Sequence, residues 1–248
     1  MKKSLIIILA TALCCVSCMR KLIYMDRFSY VGEYFQASQS PQFEYVIEDN
    51  SLTLTCKIWS GPEVGYIQYA NPEKFDYFKK LCAKYGDTGY NRTTDDQTYA
   101  YPASCANTIV CIDITSANDW DEQHPAGSLL NDLFDIEYRS FAKYIESGYD
   151  DSLFTNNNDD DQAAATRKRM THLALDNFFK MTTTRKPLNK LMDNDLRLIV
   201  ASYYTPSHEY PLLITECLPV IDMQQTLTIT LYLDDGTTRT GSVETVFE

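Results

Sequence analysis

Between Leu227 and Leu233 every second residue is a branched aliphatic: Leu227, Ile229, Leu231 and Leu233 alternate with Thr228, Thr230 and Tyr232. A two-residue period places the two sets on opposite faces of a strand, so this segment is stable only where a sheet buries one face. Asp235-Gly236 supplies a turn, and the chain returns through Thr238, Thr240, Val243 and Phe247, which predicts a terminal hairpin. The same period appears upstream. Phe43, Tyr45 and Ile47 lead into Asp49-Asn50, after which Leu52, Leu54, Cys56 and Ile58 alternate with Thr53, Thr55 and Lys57. Asp and Asn tolerate the left-handed angles of a two-residue turn, so a second hairpin is expected here. Ser60-Gly61-Pro62 is expected to break its second strand.

Further strands are expected at Thr108–Ile114, apolar on both faces and therefore central, and at Phe134–Tyr138. Weaker patterns occupy Leu173–Met181, Leu196–Tyr203 and Leu212–Cys217, while residues 139–149 fit either a strand or a helix. One helix is clear, from Pro72 to Tyr85. Asn71 caps it, Pro72 suits its first turn, Gly86 stops it, and Phe75, Phe78, Cys82 and Tyr85 form its apolar stripe. Ala83–Tyr90 resembles Ala142–Tyr149, but the flanks do not match and the likeness reads as coincidence. These patterns predict a mainly β, sandwich-like single domain with Ig-like character, one clear α-helix and long loops, over residues 43–248.

The N-terminus reads differently. Lys2 and Lys3 precede an apolar run from Leu5 to Val16, twelve residues long. As a helix it would span roughly 18 Å against a hydrocarbon core of about 30 Å, which suits a signal peptide better than an anchor. Val16-Ser17-Cys18 resembles the end of a bacterial lipoprotein signal, with Cys15 where leucine is usual. That resemblance implies cleavage after residue 17, lipidation of Cys18 and a tether over 18–42; secretion without a lipid is the alternative. Surface export of lipoproteins of this kind goes with acids just after the lipidated cysteine, so the resemblance, with basic Met19-Arg20-Lys21-Leu22 here, implies the periplasmic face of the outer membrane rather than the cell surface.

Removing the signal lowers Lys+Arg from 22 to 20, leaves Asp+Glu at 34, and takes the net charge from −12 to −14. Nucleic-acid affinity rests on cations that neutralise phosphates, so such a chain is not expected to bind nucleic acid. Five cysteines follow Cys18: Cys56, Cys82, Cys105, Cys111 and Cys217. An odd set cannot all pair internally. Cys56 and Cys111 read as small buried hydrophobes; Cys82–Cys105 is the favoured bridge, though none is required.

The long connection from Ser116 to Phe134 includes Asp119-Trp120-Asp121-Glu122 and His124-Pro125-Ala126-Gly127-Ser128-Leu129-Leu130-Asn131-Asp132. It is too long for a tight turn and so is structured or functional. The His124–Asp132 stretch and the lipobox resemble those of uncharacterised β-rich lipoproteins of the Bacteroidetes, a resemblance that brings no activity with it. In the structural reading, Pro125 and Gly127 shape a turn, Ser128 or Asn131 caps a short helical turn, and Leu129, Leu130 and Leu133 plug the core. In the functional one, Trp120, Asp119 and His124 contact a ligand.

No phosphate loop, nucleophile elbow or zinc motif is present, and no catalytic residue, metal or cofactor is assigned. His208-Glu209-Tyr210-Pro211-Leu212 lacks the second histidine of a zinc protease, and the 155–161 acidic run lacks the spacing and glycine of a calcium loop. The expected role is non-catalytic: an envelope lipoprotein that binds or scaffolds, attached to the membrane through its lipid, with a glycan or an envelope protein as partner. Tyrosines between Tyr66 and Tyr101 motivate the glycan option. A carbohydrate hydrolase using acids near Trp120 is the alternative, and it requires Trp120 and those acids to line an open cleft.

Overall fold

The computed structural model describes residues 24–65, 71–95, 102–150, 183–201 and 211–247. The terminal hairpin forms as its alternation requires. Strand β10 (Gln224–Leu233) pairs antiparallel with β11 (Thr238–Val246) across a turn in which Gly236 has φ 80°. Leu227, Ile229, Leu231 and Leu233 are all buried. On its other side β10 pairs with β6 (Ile109–Ser116), completing a three-stranded sheet.

The upstream hairpin is longer than the alternation suggests. Strands β2 (Glu33–Glu48) and β3 (Ser51–Gly65) turn at Asp49 and Asn50, whose φ angles of 50° and 59° are left-handed. These suit a two-residue hairpin turn. Ser60-Gly61-Pro62 does not end β3. The strand absorbs the disturbance as bulges, pairing Gln36 with Ser60, Phe35 with Pro62 and Tyr34 with Val64. A six-stranded sheet results, in the order β5 (Ala103–Cys105), β2, β3, β9 (Leu212–Thr215), β7 (Asp135–Arg139), β8 (Thr183–Pro187). A separate ribbon joins β1 (Tyr24–Arg27) to β4 (Arg92–Asp95).

The inner faces of the two larger sheets enclose the main core, in which Leu52, Leu54 and Ile58 of β3 meet Ile112, Ile114 and Ile229. The chain is thus mainly β and sandwich-like. A second core lies under helix α1 (Pro72–Lys84), which Asn71 caps through a 3.2 Å bond from the Lys74 N–H to its side chain. Phe78, Leu81 and Cys82 of α1 pack there with Tyr30, Tyr34 and residues of the short helix α2 (Ala142–Glu146). The two alike segments meet in this core: Tyr90 and Tyr149 lie edge to face at 5.3 Å. Asp87, also fully buried, accepts hydrogen bonds from the Tyr30 and Val31 N–H groups and from the Tyr149 hydroxyl at 2.7–2.9 Å. Burial raises the Asp87 pKa, against those bonds.

Residues 196–201 link the parts. Leu196 bridges Ile109, Ile199 bridges Ser140, and Val200 bridges Ser104, so this segment ties the β5 edge to the end of β7. Leu198 sits at φ 53° with its side chain in the second core, while Ile199 points into the first.

Further expectations need correction. The tether does not extend to residue 42: β1 already lies at Tyr24–Arg27, and Tyr30, Val31, Tyr34 and Phe35 are buried. They lack a clear period because β2 packs on α1 through one face and on Ala103 and Ala201 through the other. Strand β6 is not central. It is an edge strand with one buried face, and Cys111 lies exposed on the other. The Cys82–Cys105 bridge does not form: Cys82 is a buried free thiol, as is Cys56. The Leu173–Met181 strand and the 155–161 acidic run lie outside the described residues, as does Cys18. Among the described residues no helix is long and apolar enough to cross a membrane.

Candidate functional site

The connection between β6 and β7 folds back on β6. The Gly127 N–H donates to the Ser116 carbonyl at 2.7 Å and the Leu130 N–H to that of Ile114 at 2.9 Å. Asn131 bonds both ways, accepting from the Ile114 N–H at 3.0 Å and donating to the Ile112 carbonyl at 2.8 Å. This reversal needs the turn at Pro125–Ser128, closed by a 3.0 Å bond from the Ser128 N–H to the Pro125 carbonyl. Gly127, at φ 81°, holds the position where such a turn requires a left-handed residue. Leu130 is buried and Leu133 packs against the main core. Leu129, expected to plug the core as well, is exposed: it pairs with Thr115, and its side chain points outward.

The ligand candidates take separate places. Trp120 is 0 % exposed. Its ring packs against Phe134 at 6.2 Å and edge-on to Phe247 at 5.7 Å, and its Nε1–H donates to the Cys217 carbonyl at 2.9 Å. A ring so enclosed presents no open face for stacking on a sugar. Asp119 accepts from the Ala126 N–H at 2.8 Å. Asp121 Oδ1 accepts from the Gln123 and His124 N–H groups, each at 2.8 Å, and contacts His124 Nδ1 at 2.8 Å. The opposite ring nitrogen, Nε2, lies 3.3 Å from Asp132. The structure therefore brings Asp121, His124 and Asp132 together, with Asp119 beside them on the backbone of the same loop and Trp120 turned inward.

Electrostatics follow from this arrangement. Burial opposes a charge on His124, but the carboxylates of Asp121 and Asp132 outweigh it and raise the histidine pKa above its ordinary value. Burial also pushes the Asp121 carboxyl up, and the hydrogen bonds from His124 and Gln123 overcome it and lower that pKa. The result is a clasp, Asp121–His124–Asp132, that favours the protonated imidazole and closes the loop on itself. Among the described residues no group of three or more potential ligands is arranged to hold a metal ion.

Gln225 is the residue the sequence reading missed. It is buried, its side-chain carbonyl bonds with the Ser116 hydroxyl, and its amide donates to the Asp222 carbonyl at 2.7 Å and the Asp119 carbonyl at 3.0 Å. Its signal was available. Position 225 belongs to the inward set of 227, 229 and 231, and a polar residue in that register calls for buried partners. The Val220 N–H donates to the Trp120 carbonyl at 2.9 Å, so Trp120 and Gln225 together fix the 216–223 segment. Of the tyrosines expected to contact a glycan, Tyr85 and Tyr90 are core residues and Tyr77 is exposed on α1, while Tyr66, Tyr69, Tyr99 and Tyr101 lie outside the described residues. Comparison with protein-family models, with characterised proteins and with solved structures finds no match to the chain.

Proposed function

We propose that this chain is a cell-envelope lipoprotein with a non-catalytic binding or scaffolding role, attached through a lipid on Cys18. The observation that carries the reading is the use to which the 116–134 loop puts its polar groups. Asp119, Asp121, His124 and Asn131 all bond to the loop itself or to β6, and Trp120 braces the loop against Phe247, just after β11, and the 216–223 segment. Such an arrangement suits a rigid support. It leaves the hydrolase alternative without the open aromatic face that it invoked.

The position of β1 in the chain bears on the attachment. Tyr24 is six positions after Cys18, which allows about 20 Å of fully extended chain. A lipid on Cys18 would hold the β1–β4 ribbon near the outer-membrane surface, in this reading the periplasmic one. Metabolic labelling with an alkyne fatty acid tests the anchor: the wild type should label and Cys18→Ala should not. Equal labelling of both would overturn it. Protease shaving of intact cells should leave the protein whole if it faces the periplasm.

A further inference from the structure

Large exposed apolar side chains gather at one end of the sandwich. Val220, Ile221 and Met223 are 70 %, 51 % and 46 % exposed, and Val246 is 52 % exposed. Val246 adjoins them, since it pairs with Gln224 and the next N–H, that of Phe247, donates to the Met223 carbonyl at 2.9 Å. This segment is firmly held. Its backbone is tied by Trp120 at Cys217 and Val220, and by Gln225 at Asp222. A fixed segment with three of four consecutive side chains apolar and in water is pre-organised for contact, because little ordering entropy remains to be lost on binding.

The surroundings define the occupant. Residues 116–134 and 216–225 contain six acids, Asp119, Asp121, Glu122, Asp132, Glu216 and Asp222, against no lysine or arginine and one histidine, His124, which pairs with Asp121 and Asp132. Glu244 stands two residues before Val246 on the same outward face of β11. Among the described residues Arg185 of β8 reaches this end, 3.5 Å from Glu216. A second copy of the chain is a poor occupant, since a two-fold contact would set this acidic rim against itself. Nucleic acid and anionic lipid headgroups are repelled for the same reason. We infer that the Val220–Met223/Val246 surface docks a polypeptide segment with an apolar centre flanked by lysine or arginine, presented by another envelope protein. This rests on the binding reading above and names where that binding occurs.

Photo-crosslinking tests it on the full chain in its own envelope, with benzoylphenylalanine replacing Val220 or Met223 and, as controls, Thr238 or Thr240 on the outer face of β11. The expected result is an adduct from 220 and 223 whose partner peptide, sequenced by mass spectrometry, is apolar and net positive. The same adduct should fall several-fold in a Glu244→Lys background, as rim charges govern association. An adduct to a second copy, to a lipid or glycan, or to an acidic peptide overturns the inference. Adducts from the control positions alone overturn this surface while leaving the binding reading intact. No adduct from any position overturns both.

Discussion

Gly241 should be the least replaceable residue of β11. A Cβ placed there would lie 2.3 Å from the Pro41 carbonyl oxygen, 2.8 Å from Phe43 Cε2 and 3.2 Å from the Pro41 carbonyl carbon. Pairing of β2 with β3 is interrupted between Ala37 and Gln42, and this interruption brings Pro41 against β11. Carbon contacts are comfortable at about 3.5 Å, so Gly241→Ala requires the two strands to part by roughly 1 Å. Overpacking of this kind costs about 1–3 kcal/mol, and the upper figure applies because the obstacle is backbone and cannot rotate away. Loss of glycine's freedom in the unfolded chain returns about 0.4–1 kcal/mol. The net is a destabilisation of about 2 kcal/mol, or roughly 4–8 °C in Tm for a domain of this size. Circular dichroism melts of Gly241→Ala beside Ser242→Ala, an exposed neighbour expected to stay within about 0.5 kcal/mol, measure it. Indistinguishable melts for the two variants would refute the close approach of β2 to β11.

Trp120→Phe should lower stability by about 1–3 kcal/mol, because the Cys217 carbonyl loses its donor; chemical denaturation checks this, and an unchanged midpoint would show that Trp120 does not brace the loop. For His124, the raised pKa means its stabilisation is complete below the unfolded histidine value of about 6.5 and is lost as pH rises through the folded value. The Tm gap between wild type and His124→Gln should therefore narrow from roughly pH 6 upward; a gap constant with pH would show that the clasp does not depend on charge. Of the five described cysteines, Cys111 and Cys217 are exposed and should react with maleimide in the folded protein. Cys56, Cys82 and Cys105 should react only after unfolding, since all three are buried and burial raises the Cys82 thiol to about 12; mass spectrometry of native labelling that finds adducts on the buried three would contradict the packing.

Much of the architecture was legible where the cause was local. Asp49-Asn50 announced its turn because few other residue pairs accept two successive left-handed angles, and both adopt them. Asn71 and Gly86 bounded α1 through cap chemistry acting within a few residues, and Gly86 sits at φ 73°. The turn at Pro125–Ser128 was legible for the same reason. Cys111 was misjudged because an apolar run suggests two covered faces, whereas only one face of β6 packs on the core and the other, with Cys111, stands toward water. Residues 24–42 were misjudged because they lack a period, although Tyr34 and Phe35 are both buried, each against a different core.

The candidate site divides along the same line. Asp119-Trp120-Asp121-Glu122 read equally well as an aromatic platform with acids or as a buried anchor with solvated caps, since both place the same residues in the same order. The choice was made by Phe247 and Cys217, which lie 127 and 97 positions away in the chain and close over the indole. Alternation, turns and caps are short-range steric and hydrogen-bonding effects, so the β class, both hairpins and the principal helix were written in adjacent residues. Which face is covered, and which apolar residues stay in water, depends on strands distant in sequence. Trp120 buried and Val220–Met223 exposed are therefore consequences of tertiary pairing.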